Sequence, residues 1–205
     1  MLSSKVRRAV AGCSLVLASS LVMGAPWAAD QASAKTLLPV KAKVKARSHV
    51  AKLNSEIKGL KGKFKGTINL DNGKLKGGIN LPPTTLAFPS NDAELAQADV
   101  ELANSKIKGR VNLDNLKVKT TSTFNMLLKR VSPLGLPVNL VGDNCTTATP
   151  ISVEMKGTFS FDQPGEFVGV YEIPPFANCQ GLEAVLTALI SGPDNTFTAK
   201  FIPIT

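Results

Sequence analysis

The sharpest alternation of apolar and polar positions runs Val40-Lys41-Ala42-Lys43-Val44-Lys45-Ala46-Arg47, with a cation at every second place. A period of two puts alternate side chains on opposite faces of a β-strand. The pattern therefore predicts Val40, Ala42, Val44 and Ala46 in a core and Lys41, Lys43, Lys45 and Arg47 in water. A helix would scatter the same charges around its axis. Comparable runs predict strands near 40–48, 64–70, 74–81, 95–103, 106–113, 116–129, 151–161, 166–173 and 196–202. Pro82-Pro83, Pro133, Pro137 and Pro174-Pro175 fall between them, where a missing N–H breaks no ladder. The period changes once. Leu182, Val185, Leu186, Leu189 and Ile190 recur at three- and four-residue spacing up to Gly192-Pro193, which predicts one short helix that caps a sheet or plugs a barrel mouth. Many strands and one helix predict an all-β fold, an antiparallel β-sandwich or a partly closed β-barrel.

A short repeat supports hairpins. Lys65-Gly66-Thr67-Ile68-Asn69-Leu70-Asp71-Asn72 echoes Lys108-Gly109-Arg110-Val111-Asn112-Leu113-Asp114-Asn115, each an alternating run broken by Asp-Asn. Asn72-Gly73 is the stronger turn, since both residues tolerate positive φ. Two copies predict two related hairpins in one sheet, not a stacked array. Asp71 and Asp114 are expected to bond their own turns rather than act as a carboxylate pair.

The chain opens as a secretory leader. Lys5, Arg7 and Arg8 precede an apolar run from Ala9 to Met23, shorter than the roughly 20 residues a membrane span needs. Ala32-Ser33-Ala34 is the best small-x-small cleavage site, so residues 1–34 are predicted as signal peptide and 35–205 as a single secreted domain. Val10-Ala11-Gly12-Cys13 imitates a lipidation box. Its cysteine stands near the start of the apolar run, so no lipid anchor is expected. Loss of Cys13 with the leader leaves Cys145 and Cys179 as an even pair in an oxidising place. The runs 151–161 and 166–173 fold about Asp162-Gln163-Pro164-Gly165, which brings the two cysteines nearly opposite each other beyond the hairpin's open end. A disulfide is predicted. Closing a 34-residue loop would add about 3–4 kcal/mol in the chain-entropy treatment.

Charge is uneven. Residues 35–76 hold 12 Lys or Arg against Glu56 and Asp71, a balance of +10; residues 77–205 hold 9 against 12 acids, a balance of −3. The basic face is thus expected at the N-terminal side, where it either protects a sheet edge or attracts an anionic polymer or lipid headgroups. The lysines lack interleaved aromatics, which argues against nucleic acid.

The segments GLPVNLVGDNCTTATPISVEMKGTFSF and YEIPPFANCQGLEAVLTALISGPDNTFTAKF, with SHVAKLN and INLPPTT before them, resemble a family of secreted actinobacterial proteins without assigned activity. The resemblance implies bacterial export, supports the Cys145–Cys179 bridge and supplies no catalytic residue. The lysine load departs from that family's pattern.

Chemistry is sparse. His49 is the single histidine and sits beside Arg47 and Ser48 in the cationic run, so no catalytic triad is expected on it. No nucleophile elbow, zinc-protease motif or phosphate loop occurs, and no clustered ligands suggest a metal or cofactor. Asp92, Glu94, Asp99 and Glu101 carry the weaker reading of a carboxylate-dependent hydrolase. Two non-enzymatic readings stand ahead of it. One is an extracytoplasmic envelope-binding module whose basic face, Lys41, Lys43, Lys45 and Arg47, meets anionic wall polymer or lipid headgroups. The other is a carrier of an apolar or lipid ligand, suggested by Phe88, Phe124, Phe159, Phe161, Phe197 and Phe201.

Overall fold

The computed structural model describes residues 35–88, 96–133 and 136–204. The predicted leader, Asp92 and Glu94 lie outside the described residues. Strand β1 (Leu37–Val50) keeps its two-residue period: Ala42, Val44 and Ala46 are buried, while Lys41, Lys43, Lys45 and Arg47 are exposed. The chain continues through β2 (Ser55–Asn69), β3 (Lys74–Asn80), β4 (Thr84–Phe88), β5 (Ala96–Val111) and β6 (Lys117–Pro133). After them come β7 (Thr146–Thr147), β8 (Ile151–Thr158), β9 (Gly165–Ile173), β10 (Phe176–Ala177), helix α1 (Glu183–Ile190) and β11 (Gly192–Pro203).

Between sandwich and barrel the structure decides for a barrel. Eight antiparallel strands close in the order β1-β2-β3-β5-β6-β8-β9-β11, with β11 returning to β1. Closure pairs both edges of every ring strand, which sheets otherwise leave as sticky N–H and C=O rows. Strand β4 extends the ring outside it. It pairs with β5 from Thr84↔Val100 to Phe88↔Ala96, on the edge that β3 uses further along.

Several boundaries differ from the periodicity. The runs 95–103 and 106–113 are one strand, β5, because the interruption at Asn104 (φ 56°) is a register slip between Ala103 and Lys106 and not a turn. Strand β2 begins nine residues earlier than the run at 64, since Gly59 (φ 73°) makes a bulge opposite Arg47 and the pairing resumes at Ser48↔Ile57. Pro133 ends β6 inside the strand rather than beyond it. The predicted disulfide is present, Cys145 to Cys179. Hairpin β8–β9 pairs Val153 with Tyr171, and beyond its open end Thr146 pairs with Ala177, which sets the cysteines side by side.

Candidate functional site

The end of the barrel carrying the β1–β2 turn is closed by hydrogen bonds. Ser48 Oγ donates to the Thr196 carbonyl at 3.0 Å and stands 2.7 Å from Tyr171 Oη, which leaves the phenol as the donor between them. Burial raises the Tyr171 pKa above its ordinary 10.0, and the Ser48 hydroxyl pulls it partly back. Asn195, 1% exposed, accepts from the Ala51 N–H and donates to the Tyr171 and Gly192 carbonyls. Helix α1 lies at this end. Lys52 Nζ donates to the Ala188 carbonyl, the Phe176 N–H donates to Thr187 Oγ1, and the Cys179 N–H donates to Glu183 Oε1 at 2.7 Å. Backbone N–H groups of Glu183 itself and of Cys179 hold that carboxyl below the usual glutamate range.

The opposite end is open. There a cavity of about 140 Å³ is walled by aliphatic residues such as Leu38, Leu75 and Ile107 and by the rings of Phe64, Phe167 and Phe201. The three rings form an edge-on chain, with Phe201 4.9 Å from Phe167 and 5.5 Å from Phe64. Glycines keep the lumen hollow. Gly66 and Gly77 are cross-strand partners, and a Cβ on either would come within 2.5 or 2.7 Å of the Phe64 ring, so the ring lies along the wall over bare backbone. Gly157 serves Phe167 in the same way, at 2.8 Å. An eight-stranded barrel is just wide enough to be filled by side chains or to hold one small ligand. Rings laid against the wall leave about 140 Å³ of this one unfilled by side chains.

One residue of the lining holds a polar atom without a partner. Thr120, 6% exposed, lines the cavity from β6, and among the described residues its Oγ1 is the buried side-chain polar atom with no hydrogen bond. The rim outside is apolar. Leu37 and Phe161 are more than half exposed, and Ile204 is nearly so. Leu70 and Leu113 crown the repeated turns, which stand side by side with the Val111 N–H donating to the Gly73 carbonyl. In both turns the closing side chain is the asparagine, not the predicted aspartate: Asn69 Oδ1 accepts from the Asp71 N–H and Asn112 Oδ1 from the Asp114 N–H.

The outer wall is cationic beyond the predicted row. Across β1 and β2, Lys41, Lys43 and Lys45 stand directly opposite Lys65, Lys63 and Lys61, and Lys45 is also opposite Lys200 of β11. Further round, Lys76 faces Lys108, Lys74 faces Arg110, Arg110 faces Lys119, and Lys119 faces Lys156. The basic face therefore spreads over β5, β6 and β8, which the segment totals concealed. Of the later segment's acids, Glu101 pairs with Lys129 and Glu183 bonds at the helix, while Glu166 stands opposite Lys200 within the cationic wall. A surface groove of about 420 Å³ runs among Lys45, Arg47, Lys61 and Lys200, with Glu166 as its one acid. His49, also on β1, stands opposite Glu56 and Thr196.

Of the phenylalanines singled out by sequence, Phe159, Phe161 and Phe201 line the open cavity, while Phe124 and Phe197 line voids of about 40 and 10 Å³ deeper in the barrel. The side chain of Phe88 lies outside the described residues. Phe64, Phe167 and Thr120 were missed. The signal existed, because Thr120 shares parity with Val118 and Phe124, yet the run Thr120-Thr121-Ser122-Thr123 masks which face is inside. No protein-family model, curated protein or solved structure matches the chain.

Proposed function

We propose that this protein is a non-enzymatic extracytoplasmic carrier of an apolar or lipid ligand, held at the cell envelope by its basic wall. The observation that carries the reading is the asymmetry of the barrel, one end closed by hydrogen bonds and the other opening on an apolar cavity of about 140 Å³. A dry engineered cavity of about 150 Å³ suffices to bind benzene, so the space is adequate for the end of a hydrocarbon. The disulfide, the leader-like N-terminus and the resemblance to secreted actinobacterial proteins support an oxidising compartment. Protein purified without detergent and extracted with organic solvent should yield one hydrocarbon-containing molecule per chain. An empty extract together with failure to take up a neutral fluorescent naphthylamine would remove the carrier reading.

A second reading, docking to anionic wall polymer or headgroups without any cargo, is favoured by the register of the lysines. Like charges directly opposite across a ladder are destabilising by a few tenths of a kcal/mol each. Edge protection does not account for them, since β1 is paired on both sides. A polyanion relieves such repulsion. Retention on isolated cell wall or anionic vesicles should fall steeply with salt, because exposed charges are screened beyond about 8 Å at physiological ionic strength. Changing Lys41, Lys43 and Lys45 together to Glu should abolish retention. Binding that survives both salt and the triple change would refute the electrostatic wall.

A further inference from the structure

We propose that the open end of the barrel is a membrane-docking face, whose ring of apolar side chains enters the headgroup layer of an anionic bilayer while the cations behind it meet lipid phosphates. The inference rests on the carrier reading, since an apolar cargo has to pass between a membrane and the cavity, and it adds how the mouth reaches that membrane. Antiparallel order puts three hairpin turns and two strand ends around this mouth: residues 70–73, 112–116 and 159–164, the start of β1 and the finish of β11. Each contributes one exposed large apolar side chain. These are Leu70, Leu113, Phe161, Leu37 and Ile204, between 38% and 57% exposed. A single exposed leucine is ordinary on any surface, but one at every turn and strand end of the same rim marks a face that meets something apolar. The ring is continuous with the lumen. Phe161 stands edge-on to Phe159 at 4.9 Å, and both line the cavity.

Charge selects the occupant. Directly behind the rim Lys41 stands opposite Lys65, Lys74 opposite Arg110, and Arg110 opposite Lys119, all exposed, and the Ile204 N–H donates to the Lys41 carbonyl, which ties the apolar ring to the cationic tier. Of the aspartates at the tips, Asp71 accepts from the Thr36 N–H and Asp162 from the Ser160 hydroxyl, while Asp114 is exposed. A second copy set mouth to mouth would bring one cationic tier against another. An anionic bilayer reverses that balance, because apolar side chains gain from the acyl boundary and lysines just outside it gain from the surface potential. The barrel therefore docks end-on, with its wall in water.

The test places a fluorescent reporter at the mouth, Phe161→Trp, or in the cationic groove of the wall, Thr198→Trp, in the intact disulfide-bonded protein, with the native protein as blank. Each is mixed with vesicles of phosphatidylglycerol and phosphatidylcholine whose acyl chains are brominated near the headgroup. Phe161→Trp should be quenched and Thr198→Trp should not. Changing Leu113 and Phe161 together to Ser should weaken vesicle binding about tenfold or more, since each loses part of the transfer free energy of a large apolar side chain. Vesicles of phosphatidylcholine alone should bind more weakly than the mixture. Quenching of Thr198→Trp without Phe161→Trp means that the wall lies on the bilayer, and it overturns the docking face. A concentration-dependent dimer in sedimentation velocity that Phe161→Ser disperses, with no quenching at either position, gives the rim to a second copy and overturns it as well. Naphthylamine uptake without vesicles is read separately: it decides the carrier reading, and the quenching decides the docking.

Discussion

At the β1–β2 end of the barrel Asn195 spends its amide on three backbone groups and Ser48 shares a proton chain with Tyr171; at the other end Thr120 Oγ1 bonds nothing. The same ring strands run through both. The difference lies in what fills them. Toward the closed end, side chains such as Phe124, Phe197 and Tyr171 occupy the lumen, whereas toward the open end the pair Gly66 and Gly77 lets Phe64, and Gly157 lets Phe167, lie against the wall. Stability is thus concentrated at one end and vacancy at the other, which is how a barrel can hold a cavity without losing its fold. An apolar lipid-facing band is what a barrel embedded in a bilayer needs, and this wall presents lysines instead.

The largest way to break the contrast is at the closed end. Replacing Cys145 and Cys179 by Ala should lower unfolding free energy by about 3–4 kcal/mol, measured by urea titration, because the 34-residue loop is freed in the unfolded chain. Ligand affinity should be unchanged below the transition. A loss of affinity at full native population would mean that the two ends are not separable.

Next in size is Gly66→Ala at the open end, where the new methyl meets the Phe64 ring and the Lys76 carbonyl. Overpacking of this kind costs about 1–3 kcal/mol, and the displaced ring should fill the cavity and exclude naphthylamine. Retained dye binding would show that Phe64 does not shape the space.

A smaller effect sharpens the closed end. The Tyr171 phenol is neutral in the fold with its pKa raised by burial, so its contribution is fully present below about pH 10, where the unfolded phenol ionises, and is lost as pH climbs through the higher folded value. Tyr171→Phe should cost about 1 kcal/mol at neutral pH, and this deficit should shrink above pH 10. A deficit independent of pH would place the phenol outside the network.

Local pattern carried the parts of this molecule that depend on neighbours in sequence. The alternation at Val40–Arg47 fixed both faces of β1, the Asp162–Gly165 turn brought Cys145 to Cys179, and the spacing of Leu186 and Ile190 marked α1, where both are buried. Closure was not legible. It depends on β11 returning to β1 and β5 meeting β6 over long separations, which no local period encodes. Strand β4 hid behind Leu81-Pro82-Pro83, because prolines interrupt a ladder without preventing the chain from rejoining the same edge of β5. Phe64 and Phe167 fall at the start of the predicted runs 64–70 and 166–173, with no local signal that sets them apart. Only the glycines beneath them, Gly66 and Gly77 under Phe64 and Gly157 under Phe167, turn those rings into cavity walls.

The central claim is that the open end holds a mostly hydrocarbon ligand, and native mass spectrometry of protein from culture supernatant, never exposed to detergent, tests it most directly. The account predicts a population heavier than the disulfide-bonded chain by one discrete adduct. That adduct should leave with organic solvent, return on addition of a hydrocarbon, and be lacking in Gly66→Ala. A single mass equal to the bare chain, unaltered by any hydrocarbon added to saturation, would contradict it.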